Sequence, residues 1–258
     1  IAALAVTEPG GGSDVANLKT TAVRDGDHYV VNGEKVFITS GMRAGLLTVA
    51  VRTGDPGLGG ISILAVEGQP AGLERVDLQK MGWWASDTAT LRFDNVRVPV
   101  ENLVGQENAG FMGLMANFNN ERLMLAAIAW AFGKVAYEEA LEWAHERQTF
   151  GKPLIKRQVI RHKLIDMKAK LDATEALLNV LAYRMHQGEQ PVAEICSAKN
   201  TAVECVEFCA SEAVQILGGA GYGRGTKSER IYREVKVMAI GGGSTEILKD
   251  LAARQLGW

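Results

Sequence analysis

A glycine-rich stretch near the start of the chain is the first feature that could bind a ligand. It reads VTEPGGGSD, from Val6 to Asp14, and follows an apolar run that suits a buried strand, which Pro9 ends. Three consecutive glycines let the backbone approach a phosphate or a flat ligand, and the hydroxyls of Thr7 and Ser13 could hydrogen-bond to it. No Lys-Ser/Thr pair follows the glycines, which excludes the phosphate loop of NTPases. A Pro-Gly-rich loop after a strand is also typical of a plain turn.

A carboxylate that could act as a base lies in the stretch FNNERLMLAA. Glu121 stands there between Phe118 and an apolar run that continues to Trp130. A carboxylate held away from water binds a proton more readily, and its burial is costly unless it is paired or functional. An ion pair with Arg122, or a place at a helix start where it accepts from backbone N–H groups, would explain Glu121 without catalysis.

A second stretch, KVFITSG from Lys35 to Gly41, indicates a particular protein family when it is taken together with the first. TEPGGGSD and FITSG at this separation resemble the middle domain of the acyl-CoA dehydrogenase family of flavoproteins, and the resemblance continues to the last residue. It implies an FAD-dependent oxidoreductase of fatty-acid or branched-chain acyl catabolism. In the implied reaction a base removes the proton beside a thioester carbonyl while hydride leaves the neighbouring carbon for the flavin.

The resemblance offers two places for the base. Most members carry a glutamate near the C-terminus, and that position falls on Gly242 in the stretch GGGSTEI. Glycine cannot take a proton, so the resemblance directs the base to Glu121, as in the long-chain and isovaleryl-CoA branches. Gly242 would still offer its backbone N–H to the thioester carbonyl. Ser13, Arg122 and Gly243 are expected to adjoin the substrate, although a surface position on the helix would equally explain Arg122.

The resemblance also implies contacts with FAD from several parts of the chain. At the flavin ring the expected residues are Leu4, Ala5, Val6, Thr7, Gly12, Ser13, Phe37, Ile38 and Thr39. The stretch ERQTFGKP resembles the family segment whose arginine reaches the FAD pyrophosphate of a neighbouring subunit, and QILGGAGY resembles the loop at the adenine end. The residues expected there are Arg147, Thr149, Phe150, Gln158, Gln215, Gly218 and Gly219, with Ser244, Thr245 and Glu246 at the start of the final helix. Without the resemblance, Gly218 and Gly219 would be a helix end and turn.

Cofactor contacts drawn from two subunits imply a homo-oligomer, which we expect to be a dimer of dimers and thus a homotetramer. The electron acceptor implied for the dehydrogenases is an electron-transfer flavoprotein. An oxidase of the same fold and a non-catalytic acyl-CoA-binding or assembly paralogue are the alternatives. Acyl-CoA oxidases usually continue into a further C-terminal domain, so a chain that ends at Trp258 favours the dehydrogenase.

Composition narrows the class of protein further. The 258 residues are 47% hydrophobic and 22% charged, which is ordinary for one large or two moderate globular domains. A net charge of −2 argues against nucleic acid or an anionic membrane as a partner, and we find no apolar run as long as a membrane span. Cys196, Cys205 and Cys209 lack metal-ligand spacing and are predicted to be buried, reduced thiols. The family's N-terminal helical domain is missing, so we expect a fragment that does not decide between the bacterial cytoplasm and the mitochondrial matrix.

Two kinds of periodicity indicate the elements that must position these residues. Up to about residue 104, strands are predicted over residues 46–51, 61–66, 73–78 and 88–98, with a tight hairpin at Asn32-Gly33. Beyond residue 105, apolar stripes at helical spacing predict helices from about Ile160 to Met185 and from Val192 to Leu217. The expected fold class is α+β: an antiparallel β-barrel or sandwich over residues 1–104, then an antiparallel four-helix bundle over 105–258.

Overall fold

The computed structural model describes residues 1–258, except for the side chain of Ala116. It contains two compact units, Ile1–Asn117 and Phe118–Trp258. Strands build the first unit and helices the second, and helix α1 (Gly110–Glu146) begins in the first and continues into the second. The predicted α+β class is confirmed.

One seven-stranded sheet forms most of the first unit. Its strands are β1 (Ala2–Ala5), β2 (Thr21–Asp25), β3 (His28–Thr39), β4 (Leu46–Arg52), β5 (Ile61–Glu67), β6 (Leu73–Asp77) and β7 (Thr88–Pro99). The order is β1-β4-β2-β3-β7-β6, with β5 paired to β4. Most pairs are antiparallel as predicted, whereas β1 runs parallel to β4. Alternation places one face in the core: Leu91 and Phe93 of β7 are buried while Arg92 between them is exposed.

The hairpin predicted at Asn32-Gly33 is wrong. Strand β3 runs straight through both residues, and the turn lies earlier, where Asp25 pairs with His28. Gly33 instead sits at a β-bulge with φ +147°, and a Cβ there would come within 2.5 Å of Thr20 Oγ1. The glycine is required because another segment crosses it closely.

Six helices and one short hairpin follow the sheet. After α1 come strands β8 (Gln148–Thr149) and β9 (Lys152–Pro153), then α2 (Gln158–His186), α3 (Val192–Leu217), α4 (Gly219–Tyr222), α5 (Lys227–Glu234) and α6 (Thr245–Gln255). The two predicted apolar stripes are confirmed: Leu164, Met167 and Leu181 of α2 are buried, as are Ile195, Val206 and Leu217 of α3. Gly218 ends α3 with φ +63°.

The three cysteines lie in α3 as free, buried thiols, which confirms that prediction. Among the described residues, no cluster of three or more His, Cys, Asp or Glu side chains could hold a metal ion. Within the same described part, no helix has both the length and the apolar character needed to cross a bilayer.

Candidate active site

The glycine-rich loop after β1 is anchored by a buried carboxylate. Glu8 closes the tight turn at the glycines through backbone hydrogen bonds with Gly11, of 3.2 and 3.1 Å. Its side chain, only 8% exposed, accepts from the backbone N–H groups of Lys19 at 2.6 Å and Thr20 at 2.9 Å. The turn is therefore tied to the segment that leads into β2, and the glycines beyond Glu8 remain bare at the surface.

Lys35 of β3 completes this anchor. Its ammonium group is fully buried and donates to Glu8 Oε1 at 2.8 Å and to the carbonyl of Val6 at 3.1 Å. Burial lowers the pKa of Lys35 below its ordinary value, and the bond to Glu8 offsets this only partly. Burial alone would raise the pKa of Glu8, but the hydrogen bonds from Lys35, Thr20 and Lys19 outweigh it and hold that pKa below its usual value. Glu8 and Lys35 thus form a buried ion pair between the two motif stretches.

The second motif stretch starts at Lys35 and continues along β3. The backbone N–H of Val36 donates to the carbonyl of Thr7 at 2.9 Å, so the structure brings TEPGGGSD and FITSG side by side. A bulge follows, because two residues of β3 lie between the pairs Lys35–Leu91 and Ile38–Ala89, where β7 has one. Phe37 occupies this bulge with φ +61° and a ring that is 62% exposed, whereas Ile38 points into the core. A positive φ is unfavourable for a residue with a bulky side chain, so the bulge holds the Phe37 ring at the surface against a local conformational cost.

The other predicted flavin residues line the same region. Ala5 and Val6 are buried and Leu4 and Thr7 half-buried, while Gly12, Ser13 and Thr39 are exposed. A Cβ added to Gly12 would lie 3.1 Å from Thr7 Cγ2, so glycine leaves the threonine side chain uncovered. The two adjacent stretches therefore carry exposed glycines, hydroxyl groups and an exposed aromatic ring.

A second glycine loop lies in the helical unit, before α6. Gly242 and Gly243 have φ +70° and +102°, conformations that favour glycine. The Ser244 hydroxyl then accepts from Ile247 N–H at 3.4 Å and caps α6, with Thr245 and Glu246 in the first turn, as predicted from sequence. A Cβ at Gly242 would lie only 2.6 Å from Leu125 Cδ1, so α1 borders the loop closely.

Two buried cations hold this loop. Arg122 of α1, 7% exposed, donates from Nε to the Gly242 carbonyl at 3.2 Å and from Nη1 to Asn119 Oδ1 at 3.2 Å. Its guanidinium also lies 5.7 Å from the ring centroid of Phe118. Lys199 of α3 is fully buried and donates to the Gly243 carbonyl at 2.8 Å. Arg122 is therefore a buried contact of the loop and not a surface residue.

Glu121 directly precedes Arg122 on α1 and is half-buried. Residues four apart in an α-helix share a face, so Glu121 lies on the same side as Leu125. Leu125 is the residue that approaches the Cβ position of Gly242. Glu121 therefore lies one helical turn before the residue that meets the glycine loop.

Models of protein families match both units of the chain. The acyl-CoA dehydrogenase middle domain matches residues 3–96, and the acyl-CoA dehydrogenase C-terminal domain matches residues 108–257. The chain belongs to the acyl-CoA dehydrogenase family. Its loops at Gly12 and Gly242 fall in the middle and C-terminal domains of that family, respectively.

Individual relatives agree with this assignment. The chain is 40% identical to acyl-CoA dehydrogenase AFT10-1 of Alternaria alternata, over 98% of the chain and 61% of that protein. It is 36% identical to cyclohexane-1-carbonyl-CoA dehydrogenase of Geobacter metallireducens, over 99% of the chain and 68% of that protein. A probable acyl-CoA dehydrogenase from Mycobacterium abscessus has a structure similar to it, with a TM-score of 0.98, 51% identity, and coverage of 100% of this chain and 69% of that one. The chain thus spans roughly two thirds of these relatives' length, and 61% of the Alternaria protein.

The residues predicted at the pyrophosphate and adenine end of the cofactor lie on separate surface elements of the chain. Arg147 follows α1, with its guanidinium 6.0 Å from the Trp143 ring, and Thr149 and Phe150 lie in the β8–β9 hairpin. Phe150 has φ +49° and is 97% exposed, and Arg157 lies over its ring at 5.6 Å. The remaining predicted residues are exposed at helix ends: Gln158, Gln215, Gly218 and Gly219.

Sequence reasoning missed the ionic anchors of both loops. Lys35 and Lys199 each interrupt an apolar pattern, which is the signal that could have identified them, since a buried lysine requires a partner. Glu8 lay within the first motif but was not assigned a role. Asn200, which donates to the Thr245 carbonyl at 3.1 Å, was missed as well.

Proposed function

We propose that the chain is the middle and C-terminal part of an FAD-dependent acyl-CoA dehydrogenase in which Glu121 removes the α-proton of the thioester. The observation that carries this proposal is the close approach of α1 to the Gly242 loop, where Leu125, one helical turn after Glu121, meets the glycine. Gly242 has no side chain to act as a base, and Glu121 is the neighbouring carboxylate that the family pattern offers in its place.

The surface at Phe37 fits a flavin. A site for a flat ring system with polar edges needs an apolar surface against the ring face, hydrogen-bonding groups at the ring edge and no side chains that would block its approach. The exposed Phe37 ring offers the face, Thr7 and Thr39 offer hydroxyls, and Gly12 leaves room. Bound FAD would supply the acceptor for the hydride that leaves the β-carbon. Leu4, Ala5, Val6 and Ile38 would support the ring from behind, and Ser13 would adjoin the substrate.

The glycine loop would polarise the substrate carbonyl. A backbone N–H aimed at the thioester oxygen stabilises the negative charge that develops as the α-proton leaves, and Gly242 keeps this donor although it lacks a side chain. Arg122 fixes the carbonyl on the other side of Gly242, so it supports the donor's orientation. Gly243 would lie beside the substrate in the same loop.

The nearly full exposure of Phe150 supports an assembly in which a second copy covers the β8–β9 hairpin. Arg147, Thr149, Phe150 and Gln158 would then hold the pyrophosphate of the partner's FAD, and Gln215, Gly218 and Gly219 its adenine end. Ser244, Thr245 and Glu246 would offer N–H groups of the α6 N-terminus to an anionic part of the cofactor. The proposal includes a homotetramer with an electron-transfer flavoprotein as acceptor, in the bacterial cytoplasm or the mitochondrial matrix.

The test is anaerobic bleaching of the flavin in the full-length protein with a panel of straight and branched acyl-CoA thioesters. The wild type should bleach with at least one of them, and Glu121→Gln should reduce the flavin roughly 10²–10⁴-fold more slowly because the proton acceptor is gone. Glu138→Gln is the matched control, since Glu138 lies on the same helix in an exposed pair with Lys134. Wild-type bleaching rates in Glu121→Gln would refute the base assignment, and rapid oxygen consumption on turnover would indicate an oxidase instead.

A further inference from the structure

The glycine loop before α6 is held by more positive charge than its hydrogen bonds require. Its carbonyls at Gly242 and Gly243 accept from Arg122 and Lys199, respectively. A carbonyl needs only a neutral donor, and the neighbouring bond from Asn200 to the Thr245 carbonyl is of that kind. A fully buried ammonium group there costs more desolvation free energy than a neutral donor would.

The charges that face Lys199 do not neutralise it. Burial, followed by the charge of Arg122 on α1, lowers the pKa of Lys199 to about 8, whereas Cys196 on α3 and Glu246 on α6 act weakly in the opposite direction. Glu246 is exposed to solvent, where its charge is screened. Lys199 and Arg122 thus make the interior side of the loop electropositive.

The loop also needs rigid support, because three consecutive glycines are the most flexible backbone a chain can present. Gly241 N–H donates to the Val237 carbonyl at 2.7 Å and anchors the loop at its start. Arg122 and Lys199 fix the next two carbonyls, and with them the peptide planes on the far side of the Gly242 N–H. The peptide that carries the Gly242 N–H therefore lies between the anchored Gly241 and two carbonyls that the cations hold.

We propose that Lys199 is a positioning residue for the dehydrogenation: it fixes the loop so that the Gly242 N–H points at the thioester oxygen, and its charge favours the enolate-like negative charge that forms there. This inference rests on the proposed function. The expected ligand class is any acyl-CoA whose carbonyl oxygen gains charge as the α-proton leaves. Removal of Lys199 should then weaken polarisation of the carbonyl more than binding of the thioester.

Lys199→Met tests this in the full-length flavoprotein, because methionine fills the buried site without the charge or the donor. The matched control is Lys163→Met, which breaks the ion pair of Lys163 on α2 with Glu212 on α3 away from the loop. One readout is the carbonyl stretching frequency of a bound, carbonyl-labelled 2-enoyl-CoA, measured by isotope-edited infrared difference spectroscopy. The other is rapid-mixing flavin reduction over a range of acyl-CoA concentrations, which separates the limiting rate constant from the Kd.

In the wild type and in Lys163→Met the bound carbonyl should absorb at a lower frequency than in water. In Lys199→Met this red shift should shrink, and the limiting reduction rate should fall roughly 10- to 100-fold, as for other supporting residues around a reactive group, with a Kd changed less than about threefold. An unchanged red shift and rate in folded Lys199→Met would overturn the inference, as would a rise in Kd alone. A wild-type protein that no acyl-CoA reduces would instead overturn the proposed function. If Lys199→Met does not fold, Lys199→Gln serves in its place, since it keeps a donor but removes the charge.

Discussion

Removing the buried Lys35 should cost far more free energy than removing an exposed lysine or arginine, and the glycine-rich loop should loosen as a result. In Lys35→Met the Glu8 carboxylate, 8% exposed, keeps its charge but loses the cation 2.8 Å away, and the Val6 carbonyl loses its donor. Breaking a buried pair from one side costs about 3–5 kcal/mol, because the remaining group is buried without its opposite charge. The comparable surface pair, Arg97 with Asp25, is 52% and 65% exposed and should contribute about 0–1 kcal/mol.

The assay is hydrogen exchange of the amides that the loop protects, measured on the full-length protein by NMR or mass spectrometry. The Thr20 N–H bonded to Glu8 and the Val36 N–H bonded to Thr7 report opening of the loop directly. A loss of about 3–5 kcal/mol corresponds to exchange roughly a hundredfold to several thousandfold faster. Arg97→Met is the control and should change these two amides by less than about fivefold.

A double variant distinguishes ion pairing from simple packing. Glu8→Gln combined with Lys35→Met removes both charges, so it should cost less than the sum of the two single changes, with a coupling of about 0.5–3 kcal/mol. The flavin should also be retained more weakly in Lys35→Met, since the pair joins the two stretches proposed to line it. Exchange in Lys35→Met no faster than in Arg97→Met, or strictly additive costs in the double variant, would refute the reasoning.

Two further predictions concern the framework. In urea unfolding, Gly33→Ala should destabilise the protein by about 1–3 kcal/mol, because its Cβ would meet Thr20 Oγ1 at 2.5 Å. Gly26→Ala, in an open turn at φ +63°, is the control and should cost only about 1 kcal/mol. Equal costs of the two substitutions would argue against the close crossing at Gly33. Glu139 of α1 accepts from Lys227 N–H at 2.9 Å and from Ser228 N–H and Oγ at 2.6 Å each; although burial opposes ionisation, these bonds hold the pKa of Glu139 below its ordinary value of 4.5. A carboxylate whose pKa is lower in the folded state stabilises the fold above its unfolded-state pKa, and this stability is lost as the pH falls through its folded-state pKa. The difference in unfolding free energy between the wild type and Glu139→Gln should therefore be greatest at neutral pH and shrink below about pH 4. A difference that does not vary with pH would contradict this.

Periodicity predicted the parts of this fold that bury a regular face. The strands predicted over residues 46–51, 61–66 and 88–98 appear as β4, β5 and β7, and the second apolar stripe gives α3 with its end at Gly218. Strand β2 escaped prediction because only Ala22 of its five residues is buried, which leaves no alternation to detect. The tight hairpin predicted at Asn32-Gly33 was wrong for a different reason: the dipeptide that favours a tight turn also suits a β-bulge that Thr20 crosses closely.

In the candidate site, too, some residues could be predicted from the sequence and others only from the fold. Motif wording was enough to propose Glu121 and Gly242, because the family pattern carries their spacing. The supports of the two loops depend on contacts between distant residues: Lys35 and Glu8 are 27 positions apart, and Lys199 and Gly243 are 44. A lysine inside an apolar stretch indicates that it has a buried partner, but only the fold identifies the partner.

Both glycine loops follow one physical scheme. Each has glycines where a ligand is proposed to lie, and each is held by buried charged side chains: the first by its own Glu8 paired with Lys35 of β3, the second by Arg122 of α1 and Lys199 of α3. On α1 this arrangement has a consequence for catalysis, because Arg122 directly follows Glu121. The hydrogen bond from Arg122 to the Gly242 carbonyl joins α1 to the loop, so the proposed base and the proposed carbonyl donor lie on two segments that are in direct contact. Such a contact would keep a base on the helix aligned with a loop that has no acidic side chain of its own at Gly242.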